Sequence, residues 1–255
     1  MVRQALKKTE GKQVDHFRLR GKDHTRIEGL SDGVFAIAIA LLLISSDIPE
    51  TFDQLVVFMY DFVPFGATIT LLMLLWYEHY TFFIRYGLKD ATTVFINTIL
   101  LFLVLFYVYP LKFLFKTLFQ LFSGLITGNR EKLEQLFTET ILPEDTSTLM
   151  IIYGLGAASI FLTYTLLYIF ALNRREILGL NAFEVFQTRS KIYVNIISGL
   201  IPLGSVFIAA SGIEIGGQNN FTLSGMFYWC YGIFLPLYFS LYYDKKRKKE
   251  FPETL

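Results

Sequence analysis

Six apolar stretches, each long enough to cross a bilayer, leave this chain few alternatives to a bundle of membrane-spanning helices. Crossing ~30 Å of hydrocarbon takes roughly 20 mostly apolar residues. The stretches run approximately over 29–47, 62–78, 92–116, 149–172, 192–211 and 221–243. Backbone polar groups have no water partner in lipid, so each stretch is predicted to be a helix, whose hydrogen bonds lie within the segment. Composition agrees, because 53% of the 255 residues are hydrophobic and only 18% are charged. A soluble domain carries about a quarter charged residues, so a disordered chain, a disulfide scaffold and an ordinary soluble enzyme are all excluded as classes.

Charge placement gives the orientation. Eight basic residues lie between Arg3 and Arg26, and Lys245 to Lys249 close the chain with five more. Arg85 and Lys89 follow the second stretch, and Arg174, Arg175, Arg189 and Lys191 follow the fourth. The connections after the first and fifth stretches hold no Lys or Arg. The positive-inside rule then puts both termini in the cytoplasm and the chain in the cell membrane as a multi-pass protein. The expected division is a cytoplasmic tail over 1–28, a six-helix transmembrane domain over 29–243 and a basic tail over 244–255. Within the domain, 117–148 is expected to extend the third helix outward and then form an amphipathic surface helix. The formal net charge of +1 gives no bulk attraction to nucleic acid.

Catalytic patterns are absent. Three histidines, His16, His24 and His79, cannot form a His-Glu-x-x-His zinc pair, and neither a phosphate-binding glycine loop nor a G-x-S-x-G elbow occurs. The chain is therefore read as a non-enzyme with no cofactor and no metal. Cys230 is the lone cysteine and is read as a buried apolar thiol.

Residues 26–49, RIEGLSDGVFAIAIALLLISSDIP, carry the most information. Asp32 stands at the start of an apolar run, where a carboxylate is costly unless it is shallow, bonded or functional. At 100° per residue, Ala40, Leu41 and Ile44 lie within about 60° of Ile37, whereas Asp32 is some 140° away. The stripe and the carboxylate face different surroundings. A helix-packing stripe would look the same on periodicity alone.

The Ser-Asp pair decides between these readings, because the segment resembles the prokaryotic, single-repeat branch of the transmembrane-protein-175 potassium channels. Their first helix carries an Arg-x-x-x-Phe-Ser-Asp signature and a Gly-Val-Phe-Ala-Ile-type run, matched here by Arg26, Leu30, Ser31 and Asp32 with Leu in place of Phe. Trp76, His79 and Asn97 also fit. The resemblance implies an all-α homotetramer built around the first helix, a membrane protein whose partners are its own copies, lipids, potassium and other monovalent cations. It further implies a pore constriction of Ile37, Leu41 and Ile44, and a hydrogen-bond network of Arg26, Ser31, Asp32, Trp76, His79 and Asn97. The family's Thr in the Ile-Thr-Leu-Leu context is Ala40 here, which removes a hydroxyl ring and implies weak to moderate selectivity for potassium over sodium. Ser45 and Asp47 are candidate ion-facing residues further along the helix. The competing expectation is a proton-coupled cation transporter relaying through Asp32, Glu78 and His79.

Overall fold

The computed structural model describes residues 16–44, 48–212 and 220–254. Ten α-helices are described: α1 Arg26–Ile44, α2 Phe52–Tyr60, α3 Phe62–Tyr86, α4 Ala91–Thr127, α5 Arg130–Gln135, α6 Thr146–Asn173, α7 Ala182–Ser211, α8 Asn220–Phe227, α9 Tyr231–Leu237 and α10 Asp244–Glu250. Among the described residues, five helical runs are long and apolar enough to cross a membrane: Arg26–Ile44, Phe52–Tyr86 (α2 and α3 joined at Asp61), Ala91–Thr127, Thr146–Asn173 and Ala182–Ser211.

The sixth stretch is helical but segmented. A 3-10 turn at Tyr228–Cys230 separates α8 from α9, and a π-helical segment, Tyr238–Tyr243, leads into α10. Pro236 lies inside α9 and has no N–H to give to the carbonyl one turn back, which is one reason regular α-geometry fails here. Cys230 sits in the 3-10 turn and is only half-buried, since the neighbouring rings do not close over it.

Local signals set the helix ends. Thr25 caps α1: its hydroxyl accepts from the Glu28 N–H at 3.3 Å while its own N–H donates to Glu28 Oε1. Thr51 and Gln54 form the same reciprocal box at the start of α2, and Asn181 with Glu184 forms it at α7. Pro64 is tolerated because it is the third residue of α3, where no intrahelical acceptor exists for its N–H. Gly87 ends α3 in the left-handed region at φ 61. There a Cβ would stand 3.0 Å from the Arg20 carbonyl.

Helices α6 and α7 pack most closely. A Cβ on Gly154 would meet Val206 at 2.3 Å and the Pro202 oxygen at 2.8 Å, so only glycine permits this approach. Tyr164, Leu167 and Tyr168 of α6 join Leu72, Phe82 and Leu100 in a fully buried core, which Phe35, Ala38 and Leu42 of α1 complete.

Part of the expected tail belongs to the folded body. Phe17 is fully buried, edge-on to Tyr86 at 5.6 Å and beneath the Arg85 guanidinium at 4.9 Å. Arg20 donates to the carbonyls of Leu178 and Gly179 and pairs with buried Glu184 at 2.5 Å. The amino-terminal segment thus straps the ends of α3 and α7 together. At the other end of the chain, 244–250 is helical and continuous with the run before it.

Candidate ion-conduction site

Helix α1 has two unlike faces. Glu28, Ser31, Phe35, Ala38 and Leu42 recur at helical spacing and are buried against the rest of the chain. Opposite them, Leu30 is 67% exposed, Ile37 56% and Ile44 76%, with Gly33 and Ala40 also exposed and Leu41 half-buried. No described part of the chain covers that apolar stripe.

Hydrogen bonds fix the rotation that separates the faces. The Ser31 hydroxyl donates to the Ile27 carbonyl at 2.8 Å and accepts from Asn97 Nδ2 of α4 at 2.9 Å. Asn97 Oδ1 lies 2.9 Å from His79 Nε2 of α3. With the amide nitrogen donating to Ser31, its oxygen is left to accept, which assigns the proton to His79 Nε2. This chain of bonds is almost wholly buried, with Ser31, His79 and Asn97 each at most 2% exposed.

A second set holds Asp32 nearer the surface. Trp76 Nε1 donates to Asp32 Oδ1 at 2.8 Å, and His24 Nε2 lies 3.4 Å from Oδ2. The Trp76 ring stacks on Tyr80, which limits its rotation. The Asp32 carboxylate is therefore half-exposed and bonded, and both relieve the cost of a charge at the start of an apolar run. At the other end of α1, Lys112 Nζ of α4 donates to the Leu42 carbonyl at 3.0 Å, where helix carbonyls lack intrahelical partners. Lys112 was not singled out in the sequence, although an ammonium inside a long apolar run is a recognisable signal.

Other expected members do not gather here. Arg26 is exposed, and no described residue bonds its side chain. Glu78 belongs to a separate arrangement, accepting from the Tyr168 hydroxyl at 2.7 Å and from Lys191 Nζ at 2.6 Å. Asp32, Glu78 and His79 thus occupy three different sets of partners, with no hydrogen bond joining any two of them. Neighbours on a helix point about 100° apart, which is why consecutive Glu78 and His79 diverge. Ser45 and Asp47 lie outside the described residues. Among those described, no three His, Cys, Asp or Glu side chains are grouped to hold a metal ion.

Ser31, Asp32, Trp76, His79 and Asn97, which join α1 to α3 and α4, all fall within a match to a known family model. Residues 26–107 match the family described as endosomal/lysosomal potassium channel TMEM175. A protein of Marivirga tractuosa named "Potassium channel" is 45% identical over 217 residues, covering 85% of this chain and 86% of that one. This chain belongs to the TMEM175 family. Within it, the fold matches a crystallised variant of the potassium channel MtTMEM175, held in complex with a nanobody–MBP fusion, at a TM-score of 0.78 and 43% identity. That match covers 86% of this chain and 93% of the other. The chain thereby joins the prokaryotic single-repeat branch of TMEM175. Channels are not enzymes, and membership of this family sets the chain apart from the enzymes.

Proposed function

We propose that this protein is a potassium channel in which four copies surround a common axis with their α1 helices, and that Ile37, Leu41 and Ile44 form three apolar rings at its narrowest part. The observation that carries the reading is the unshared face of α1. One side is bonded to α3 and α4 through Asn97 and Trp76, and the other is an apolar stripe that no described residue covers. One helix cannot enclose a pore, so symmetry-related copies are the economical way to build one.

The rings supply no oxygen to replace the water around an ion. Passage through them requires widening of the ring or wetting of a dry constriction. Potassium holds its water more loosely than sodium and loses less on partial dehydration, which gives a preference without dedicated coordination. Ala40 adds no hydroxyl, so that preference is weak to moderate. The segmented run from α8 to α10 serves as the sixth span and returns the chain to the cytoplasmic side of the cell membrane, where the basic residues cluster.

Purified protein in liposomes tests this directly. Under a potassium gradient, passive flux is expected to exceed that under an equal sodium gradient. Ile37→Asn should raise flux by about tenfold or more, equivalent to lowering the barrier by about 1.4 kcal/mol. Flux that is absent under both gradients, or that requires a proton gradient, would overturn the channel reading.

A further inference from the structure

We propose that the cavity between the start of α7 and α10 binds the phosphate headgroup of an anionic membrane phospholipid. Its level at the inner leaflet rests on the orientation proposed above. The cavity measures about 460 Å3, within the roughly 300–1,000 Å3 of small-molecule sites. Arg175, Arg189, Ser190, Tyr193, Tyr242 and Lys246 contribute to its lining.

Charge and shape both favour an anionic headgroup. Arg175 and Arg189 are exposed, and their side chains bond no described residue, so two guanidinium forks remain available to phosphate oxygens. The Lys246 ammonium lies over the rings of Tyr242 and Phe186, at 5.6 and 5.9 Å from their centroids. Two carboxylates, Glu176 and Glu250, also line the cavity, and Glu250 stands 4.0 Å from Lys246. Three cations against two carboxylates leave the lining net positive. On the far side of Ser190 a second cavity of about 340 Å3 adds Arg85, Lys191 and Arg247 to the same end of the molecule.

The walls argue for a lipid over free phosphate. Tyr193 and Tyr242 pack edge to face at 6.1 Å and remain 43% and 41% exposed, an amphipathic aromatic rim of the kind found at headgroup level. Beneath them Phe186 stacks on Tyr243 at 5.1 Å and contacts Phe251 at 5.4 Å, forming an apolar floor. Basic pockets between helices on the cytoplasmic side are a recognised place for lipid phosphates. A bare phosphate would leave both floor and rim unused.

Native mass spectrometry of the full chain in detergent tests the site without any flux measurement, so its failure is distinct from failure of the channel reading. Phosphatidylglycerol should remain bound where phosphatidylcholine does not. The double variant Arg175→Gln/Arg189→Gln should weaken phosphatidylglycerol retention by about tenfold, as expected when charge-assisted bonds to a phosphate are lost. Lys245→Gln/Lys248→Gln removes the same charge outside the cavity and should change retention by less than about twofold. Arg189→Lys, which keeps the charge and loses the fork, should fall between them and guards against misfolding of the double variant. Equal losses in the two double variants would overturn the proposal in favour of a diffuse basic surface. Equal retention of the two lipids, or displacement by millimolar inorganic phosphate, would also overturn it.

Discussion

Helices α1 and α6 are almost equally apolar, with mean hydropathies of 2.1 and 1.9 over their best windows, yet their surroundings differ. Half of the α6 window is buried inside the chain, against 28% for α1. Hydropathy therefore says that both helices belong in the membrane and says nothing about their neighbours. Helix α6 satisfies itself against α7 through glycine contacts, the economy expected of helices meeting in lipid. Helix α1 packs Phe35, Ala38 and Leu42 on one side, where polar bonds fix its rotation, and leaves the other for lipid or for further copies. A core helix is distinguished by small residues at close approach, and a helix with an outward task by polar residues that fix its rotation.

The first way to break this contrast is to remove the polar attachment. Asn97→Leu leaves the Ser31 hydroxyl with only its Ile27 bond and the His79 ring without its buried partner. The expected loss is about 1–3 kcal/mol, read as a lowered melting temperature in detergent. Gly154→Leu would clash at the α6–α7 contact instead, so the two variants should destabilise the molecule without sharing an effect on the potassium-to-sodium flux ratio. An unchanged melting temperature for Asn97→Leu would mean that packing alone holds α1.

A gentler change sharpens the outward face. Ala40→Thr places a hydroxyl on the exposed side of α1, and an added polar contact of about 1 kcal/mol to a partly dehydrated ion should raise the potassium-to-sodium flux ratio about fivefold. A change at this position that leaves the ratio untouched would remove position 40 from the conduction path.

The smallest expected effect lies away from both helices' contrasting faces, in the connection before α4. Burial opposes ionisation of Asp90, but the Thr93 hydroxyl, the Arg174 guanidinium and backbone N–H groups outweigh it and hold the carboxyl below its ordinary range. A lowered folded pKa means that the stabilisation is complete above the unfolded value of about 3.9 and is lost as pH falls through the folded one. Asp90→Asn should flatten the acid limb of a melting-temperature profile, by less than about 1 kcal/mol for a half-buried pair still reached by solvent.

How much of this was legible depends on whether a signal is local. The Arg26-to-Pro49 segment announces its helix, its stripe and its unusual carboxylate in consecutive residues. Trp76, His79 and Asn97 were chosen by family resemblance, and the bonds that join them to Ser31 and Asp32 span 18 to 66 positions in sequence, beyond any periodicity. Arg20 reads as one more basic tail residue until Glu184 is seen beneath it, although Asn181 and Glu184 already carry a capping-box spacing. Thr51 and Gln54 likewise mark the start of α2, which lies outside the six apolar stretches. Segmentation of the last stretch could be anticipated at Pro236, but composition alone makes it look like an ordinary span.

The central claim is that the uncovered face of α1 meets the permeating ion and the bonded face does not. Cysteine placed at 37 or at 38, in a Cys230→Ala background, separates the two faces by a single residue. A small charged thiol reagent added to proteoliposomes should block potassium flux through Ile37→Cys and leave Ala38→Cys unaffected, since Ala38 is fully buried against the chain. Block at 38 with none at 37, or equal block at both, would contradict the account.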